Sequence, residues 1–229
     1  KSTRDIRVDH IVLLDNDQQK LKTYGEISRE LSRRLDPDLT FEVTSDARAA
    51  LTGVDYIITT IRAGGDAGRL FDEQTCLAHG VLGQETTGAG GFAMAIRSVP
   101  TLVYYCTLAR EVANPGHLIF NFTNPSGIIT QALRSKGFDN VYGICDAPSG
   151  FIKQLEEILE IPYGTLDIEC YGLNHLSWFR NAKVNGRDVQ RELLDNPRTY
   201  EHSEMRLFTR EMARISGDCM LNEYLYFYY

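Results

Sequence analysis

The sequence lacks any long hydrophobic run. Its longest apolar stretches, Tyr56–Ile61 and Leu118–Phe122, have the length of a strand, whereas a membrane helix needs roughly 20 apolar residues. The charged residues at positions 1–7 are not followed by the apolar core of a signal peptide. These absences predict a cytoplasmic protein that makes no contact with a membrane.

Basic residues are neither in excess nor clustered. Lysine plus arginine number 24 against 31 aspartates plus glutamates, which gives a net charge of −7. A nucleic-acid surface needs the opposite distribution, so we expect no nucleic-acid partner. A phosphorylated small molecule is not excluded, because one or two well-placed arginines are enough to bind a single phosphate.

Paired cysteines are also missing. The five cysteines are an odd number, are widely scattered and form no CxxC pair: Cys76, Cys106, Cys145, Cys170 and Cys219. This pattern argues against a disulfide framework and against a structural zinc site. It is typical of reduced thiols in a cytosolic enzyme, each of which has to be judged by its surroundings.

The sequence does contain a rhythm of short apolar runs that alternate with amphipathic helices. The segment Gln18–Leu35 has apolar residues at three- and four-residue spacing, which predicts a helix. Strands are predicted at 8–14, 40–43, 54–61, 118–122 and 140–144, and further helices at 92–112, 126–136 and 149–161. Pro100 is expected to break or restart the helix at 92–112. Strands that alternate with helices, and are buried on both faces, predict a Rossmann-like, doubly wound parallel sheet.

The pattern changes from about Asp167. Residues 168–173 and 178–184 alternate in polarity, and the second run leads into Asn185-Gly186, a pair typical of tight antiparallel turns. We therefore assign residues 1–166 to a dinucleotide-binding domain and residues 167–229 to the start of an α+β domain for substrate and metal.

One motif of dinucleotide folds is absent. No GxGxxG turn precedes a helix, although such a turn normally follows the first strand of that fold. A strand that ends on an acidic residue, as the first predicted strand does at Asp15, normally comes second. We expect that the first strand and its glycine loop are missing and that the second domain is truncated.

Polar clusters lie where the predicted strands end, which is the ligand-binding edge of such a sheet. The clusters occupy residues 15–17, 62–65, 121–125 and 145–148. Asp15 could face a ribose or simply cap a helix. Arg62 beside Gly64, with Arg69 one to two helical turns further on, favours an anion site, although glycines are frequent in any strand-to-helix turn.

Two further features suggest a site. The loop Gly83–Gly91 holds Glu85 among four glycines, which favours contact with a substrate over a flexible linker. Cys145 at a strand end and His175 after the run 168–173 are candidates for an open first-row metal site. Their 30-residue spacing leaves the alternatives open: a buried apolar cysteine and a satisfied core histidine.

Together these motifs resemble glycoside hydrolase family 4. The resemblance is carried by the order IRAGG, GQETTGAGG, Ala95-Ile96-Arg97, FTNP, CDAP, GLNHLSW and a final aromatic run, from about Val8 to Tyr229. It implies a 6-phospho-glycosidase that requires NAD and Mn²⁺ or another divalent metal. The implied reaction oxidises the sugar at C3, removes the C2 proton and eliminates the leaving group, unlike the usual two-carboxylate mechanism.

The resemblance also assigns roles to residues. It implies that Cys145 and His175 hold the metal, that Tyr224 is the base, and that Asp146 assists the leaving group. Cofactor binding is implied for Asp15, Arg62, Gly64 and Asn124, and substrate binding for Arg69, Glu85, Asn124 and Asn174. Tyr226, Tyr228 and Tyr229 crowd the stretch around Tyr224, so the register of the base is open, and the whole stretch could instead be a core aromatic run.

The sugar specificity is predicted less directly. Aspartate at position 146 resembles the α-specific branch of the family, whereas GLNHLSW followed by KVNGRDV resembles the β-specific branch, and we favour 6-phospho-β-glucosidase. The substrate would be a phosphorylated disaccharide or glucoside, and the family resemblance implies a homodimer or homotetramer. The alternatives are an NAD-dependent 2-hydroxy-acid dehydrogenase, which would need no metal, and a fragment that binds nucleotide without turnover.

Overall fold

The computed structural model describes residues 8–227, and its contacts divide the chain into two compact units. The first unit combines the residues up to 59 with 100–120 and 133–142, and the second combines 60–99, 121–132 and 143–229. The chain therefore passes between the units several times.

The first unit is built from strands that alternate with helices. It contains β1 (His10–Leu14), α1 (Gln18–Leu35), β2 (Thr40–Thr44), α2 (Ala47–Leu51) and β3 (Tyr56–Thr59), followed by most of β4 (Leu118–Asn121) and of β5 (Val141–Gly143). β1 and β2 run parallel, and β3, β4 and β5 form a second sheet in that order. The Rossmann-like α/β class is confirmed, with the strands divided between two sheets in the described residues.

The helix α1 begins and ends where its periodicity predicts. Asp17 is its N-cap and accepts hydrogen bonds from two backbone amides of the first turn. The apolar face that revealed the helix is mostly exposed, because α1 approaches β2 through Gly25 instead. A Cβ at Gly25 would lie 2.9 Å from Cγ1 of Val43, so only a glycine allows this approach.

The strands of the first unit are less covered than the sequence predicts. Ile11 on β1 is 39% exposed, and Tyr56 and Ile58 on β3 are 60% and 66% exposed. The prediction that the strands are buried on both faces is therefore wrong for β1 and β3. Within residues 8–227, β1 pairs with β2 and β3 pairs with β4, so each of the two keeps one unpaired edge.

The prediction that Pro100 breaks its helix is also wrong. The helix α4 runs without interruption from Gly88 to Val112, with Pro100 inside it. A proline removes one hydrogen bond and crowds the preceding turn, which costs about 3 kcal/mol in a helix interior. Buried side chains on both sides of the proline, including Met94 and Leu102, offset that cost.

By length and composition α4 could cross a membrane, although core helices of globular proteins pass the same test. Arg97 lies within it and forms an ion pair with Asp72, which is 6% exposed. A charged residue paired within the protein is typical of a helix in a folded core.

The second unit holds helices around an antiparallel sheet. Its elements are α3 (Gly65–Ala78), the first half of α4, the start of α5 (Ser126–Ser135), α6 (Ala147–Leu159), β6 (Leu166–Leu173), β7 (Leu176–Val184), β8 (Arg187–Asp188), α7 (Gln190–Asp195), α8 (Pro197–His202), α9 (Arg210–Ile215), β9 (Met220–Leu221), and two 3₁₀ helices at Glu204–Leu207 and Glu223–Phe227. β7 pairs antiparallel with β6, β8 and β9, which confirms the predicted change of pattern.

The core of the second unit forms where α6 packs on this sheet. Phe151 on α6 and Phe179 on β7 are fully buried, with their ring centroids 4.9 Å apart at 79°. Met205, Met220 and Leu221 belong to the same cluster. The segment 220–225 is thus anchored in the hydrophobic core next to the hairpin of β6 and β7, and this anchoring sets the position of Tyr224.

Candidate active site

The structure brings Cys145 and His175 together. Cys145 follows β5, and His175 lies in the two-residue turn between β6 and β7. Their side chains meet with Sγ of Cys145 3.5 Å from Nε2 of His175. Both residues belong to the second unit, so this geometry is internal to one compact body.

His175 is held in a demanding position. It is 4% exposed, its backbone has φ of 60°, and its Nδ1 is buried without a hydrogen-bond partner. Burial lowers its pKa, against the opposing influence of Glu85 and Asp146. The imidazole is therefore kept neutral, which is the form that binds a metal ion.

The pair fits a shared divalent cation. An ion bound 2.0–2.3 Å from nitrogen and sulfur at a roughly tetrahedral angle holds those atoms about 3.5 Å apart, which is the observed separation. Among residues 8–227, no cluster of three or more His, Cys, Asp or Glu side chains could hold a metal. The donor set is that of an open site with free positions for other oxygen ligands.

Tyr224 lies against the histidine. Its ring stacks on the His175 ring with centroids 3.7 Å apart and an interplanar angle of 8°. Burial raises the pKa of Tyr224, and the charges of Glu223, Cys145, Glu85 and Asp146 raise it further. The phenol is therefore protonated near neutral pH, and it needs a nearby positive charge before it can act as a base.

Of the three other tyrosines considered for this role, Tyr226 is 57% exposed and stacks edge-on with Phe227. Tyr228 and Tyr229 lie outside the described residues. Tyr224 is thus the tyrosine of this stretch that the structure stacks on His175.

Two arginines converge on Glu85. Arg62 forms an ion pair with the Glu85 carboxylate, and Nε of Arg69 lies 3.6 Å from Oε2 of the same group. Arg69 also donates to Glu73 at 2.8 Å, and this bond is the main cause of its raised pKa. Glu85 is largely buried, with a side chain 13% exposed, and the last four residues of the predicted loop form the first turn of α4. Substrate contact by this loop stays a prediction.

The turn that carries Arg62 is supported by an ion pair that sequence reasoning missed. Arg97 on α4 forms a bidentate pair with the buried Asp72 on α3, and its Nε donates to the carbonyl of Ala63 at 3.3 Å. Gly64, the N-cap of α3, has φ of 85°, and a Cβ there would lie 3.0 Å from Nε of Arg97. No pattern in the sequence predicts this pairing, because 25 residues separate Asp72 from Arg97.

The predicted cluster at residues 121–125 divides into a structural and an available amide. Asn121 is fully buried, and its amide donates to the carbonyl of Thr123 at 3.2 Å and to Oγ1 of Thr130 at 3.3 Å. Asn124 is half-buried and precedes Pro125 in a cis peptide bond. Ligand binding by Asn124 stays a prediction.

A cavity of about 180 Å³ opens beside Cys145 and His175, within the second unit. Its lining includes Cys145, Asn174, His175, Cys170, Ser177 and Asn222. Oδ1 of Asn174 is buried without a partner, as an atom that serves a ligand would be. Asn222, which is 1% exposed, was not predicted from the sequence. A polar residue two positions before Tyr224 is a usual cap for a short turn, and this pattern could have indicated it.

Two predicted residues are placed without a test of their roles. Asp15 belongs to the first unit, is half-buried, and accepts a hydrogen bond from the backbone of Asp17 at 2.9 Å. This bond closes a turn, whereas the N-cap of α1 is Asp17, so the alternative interpretation of Asp15 as a helix cap is wrong. Asp146 is an exposed residue at the start of α6 and makes no side-chain cap bond.

Comparison with known proteins identifies the family. Residues 1–161 match the Family 4 glycosyl hydrolase description, and residues 170–229 match the Family 4 glycosyl hydrolase C-terminal domain. The chain belongs to family 4 of the glycosyl hydrolases. It spans about half the length of the curated relatives that it matches.

Several relatives show what this chain is similar to. It is 35% identical over 196 residues to the 6-phospho-beta-glucosidase BglT of Thermotoga maritima, covering 85% of this chain and 46% of that protein. It is also 35% identical over 196 residues to the phospho-alpha-glucosidase PagL of Clostridium acetobutylicum, covering 82% and 44%. These two relatives, named for opposite anomeric specificities, therefore have the same identity to this chain.

Solved structures of family 4 enzymes have the same fold as this chain. A structure of the Thermotoga maritima 6-phospho-beta glucosidase with manganese, NAD⁺ and glucose-6-phosphate matches with a TM-score of 0.88 and 31% identity, over 99% of this chain and 54% of that one. A lactate dehydrogenase from Eimeria maxima matches with a TM-score of 0.59 at 14% identity, which is a likeness of fold alone.

Proposed function

We propose that this chain is part of a cytoplasmic 6-phospho-β-glucosidase that requires NAD⁺ and a divalent metal, with Mn²⁺ as the expected ion. The observation that carries the proposal is the meeting of Cys145, His175 and Tyr224 in one place. A dehydrogenase of 2-hydroxy acids has no use for a cysteine side chain beside an imidazole. The family and the relatives named above support the same assignment.

The bound groups would supply chemistry that amino acids lack. When bound, NAD⁺ would supply reversible hydride transfer at C3 of the sugar, and the cation would supply Lewis acidity toward the neighbouring oxygens. The proposed cation ligands are Cys145 and His175. The proposed cofactor contacts are Asp15, Arg62, Gly64 and Asn124, and the domain boundary is proposed near residue 166.

The chain's own residues would bind the sugar phosphate and move two protons. Arg69, Glu85, Asn124 and Asn174 are proposed to hold the substrate. Tyr224 would remove the proton from C2 through its Oη, and Asp146 would assist the departure of the leaving group. Because its pKa is raised, Tyr224 would need a nearby positive charge to act as a base, and a cation held by Cys145 and His175 would supply that charge.

A second candidate is the 6-phospho-α-glucosidase activity of the same family. It is favoured by Asp146 directly after Cys145, and an α-specific relative matches with the same identity as a β-specific one. We favour the β-anomer because of the sequence around Gly172–Trp178 and Lys183–Val189. We further propose a homodimer or homotetramer that has no nucleic-acid or membrane partner; light scattering measures its size.

The test is the release of p-nitrophenol from its 6-phospho-β-glucoside and 6-phospho-α-glucoside by the intact protein. We expect hydrolysis of the β-anomer only when NAD⁺ and Mn²⁺ are both present, and no net NADH. Activity independent of both additives contradicts the proposal, and NADH accumulation with a 2-hydroxy acid supports the dehydrogenase. Residues 1–229 tested alone show whether this part binds NAD⁺ without turnover.

A further inference from the structure

A buried carboxylate lies behind the candidate base. Glu204 opens the first 3₁₀ helix of the second unit and is only 5% exposed. Its Oε2 accepts a hydrogen bond from the backbone amide of Glu223 at 3.2 Å. Its own amide donates to Oε1 of Gln154 on α6 at 2.9 Å, which fixes Glu204 on the core.

The segment that Glu204 grips carries Tyr224. From Leu221 to Leu225 each backbone amide has an acceptor: Sδ of Met205 for Leu221 (3.1 Å), the carbonyl of Ser177 for Asn222 (3.1 Å), Glu204 for Glu223, Oδ1 of Asn222 for Tyr224 (3.1 Å) and the carbonyl of Asn222 for Leu225 (3.0 Å). Glu204 lies outside the segment, and it accepts from the residue directly before Tyr224. Its loss would free the backbone of the residue directly before Tyr224.

Burying the Glu204 carboxylate in this position costs free energy, because the charged form loses its hydration. Burial raises the pKa of Glu204 to about 7. The charges of Glu223 and Asp146 add to the rise, while Arg206 and the Glu223 amide oppose it. An apolar side chain of similar length would fill the same space without this cost, so the acceptor atom itself has a use.

The role of the Glu204 acceptor atom follows from the way the Tyr224 ring stacks on the His175 ring. The Tyr224 ring lies 3.7 Å from the His175 ring and nearly parallel to it. A shift of the backbone at Glu223 tilts that ring and moves its Oη, and misplacement by about 1 Å can cost a reaction roughly 100-fold. We propose that Glu204 is a positioning residue, whose carboxylate holds the backbone of Glu223 and thereby fixes Tyr224 against His175 for proton removal.

The anchoring part is tested by hydrogen exchange in the intact protein. Glu204→Met removes the acceptor at similar length, Glu204→Gln keeps an acceptor oxygen, and Glu201→Met removes an exposed carboxylate three residues away as the control. We expect the amides of residues 220–227 to exchange roughly ten-fold faster in Glu204→Met, the worth of one hydrogen bond. Glu204→Gln and Glu201→Met should exchange like the wild type.

The catalytic part rests on the proposed function and is tested by kinetics. We expect Glu204→Met to lower kcat at least about ten-fold with KM within about two-fold, and Glu204→Gln to restore most of kcat. If Glu204→Met fails to fold, Glu204→Asp serves instead, because it keeps the charge but is one methylene too short to reach Glu223.

The two parts fail separately. Wild-type exchange rates in Glu204→Met or its substitute overturn the anchoring and with it the proposal. An equal loss of kcat in Glu204→Gln and Glu204→Met overturns the role of the acceptor. If the wild type has no glycosidase activity under any condition, the proposed function is wrong, and the exchange data still decide whether Glu204 anchors the segment.

Discussion

Two tight turns border β7, and they differ in almost every respect. The turn after it, Asn185-Gly186, is exposed, and both residues have positive φ, 51° and 80°. This is the geometry and the residue pair that antiparallel hairpins favour. The turn before it, Asn174-His175, has positive φ only at His175, which is buried and has a bulky side chain.

The difference separates a turn that serves folding from a turn that serves a site. A left-handed conformation at a residue other than glycine, asparagine or aspartate costs on the order of 1–2 kcal/mol. The Asn174-His175 turn accepts this cost and also leaves Oδ1 of Asn174 and Nδ1 of His175 without partners. What it gains is an imidazole beside the thiol of Cys145 and the ring of Tyr224.

The strongest way to break the contrast is to give the site turn the chemistry of the other turn. His175→Asn keeps a residue that tolerates positive φ but removes the imidazole. We expect Mn²⁺ affinity to fall by more than about 100-fold, because even loss of an outer-shell partner costs 10–100-fold. Isothermal titration measures it, and unchanged affinity excludes His175 as a ligand.

Tyr224→Phe tests the ring that lies on the site turn. Phenylalanine keeps the stack on His175 and loses Oη, so kcat should fall by about 100-fold or more while KM and Mn²⁺ affinity stay near the wild-type values. Steady-state kinetics with the 6-phospho-β-glucoside measures the split. A rise in KM with normal kcat would assign Tyr224 to substrate binding.

Glu204→Gln sharpens the contrast by testing the support behind the site. The pKa of Glu204 is raised from an ordinary 4.5 to about 7, so the folded state holds this proton more tightly than the unfolded chain. Its contribution to stability is greatest below pH 4.5 and is lost as pH rises to 7, by at most roughly 3 kcal/mol. The variant should gain stability over the wild type at pH 8 and little at pH 4.5. Urea unfolding at both pH values decides; an equal difference at both contradicts the prediction.

Gly186→Ala probes the folding turn and should have the smallest effect. Alanine at φ of 80° is strained, so the free energy of unfolding should fall by about 1 kcal/mol. Thermal unfolding measures the loss. Activity and Mn²⁺ affinity should not change, and a large loss of either would show that the two turns are coupled.

The sequence predicted those parts that periodicity and turn chemistry control. The helix Gln18–Leu35 and the Asn185-Gly186 turn were predictable because each depends on residues close together in the chain. Positions at strand ends identified Cys145 and, through the hairpin, His175. The family resemblance then added Tyr224, which composition and spacing could not distinguish from a core aromatic residue.

The rest depends on packing between distant segments. The ion pair of Asp72 with Arg97 and the bond of Glu204 to Glu223 join residues 25 and 19 positions apart. The elements after residue 187 were not predicted because each has six residues or fewer, too short to show a period. The prediction at Pro100 was wrong because packing around α4 overrides the local preference of proline.

The ion pair between Arg97 and Asp72 has a consequence for how this protein tolerates change. Gly64 and Gly68 leave room for the guanidinium, since a Cβ at Gly64 would lie 3.0 Å from its Nε and one at Gly68 3.4 Å away. Gly64, Gly68, Asp72 and Arg97 are therefore coupled, because the first three all contact the side chain of the fourth or leave space for it. In a library that randomises them one at a time, each should look intolerant; randomised together, they can yield a different but working solution.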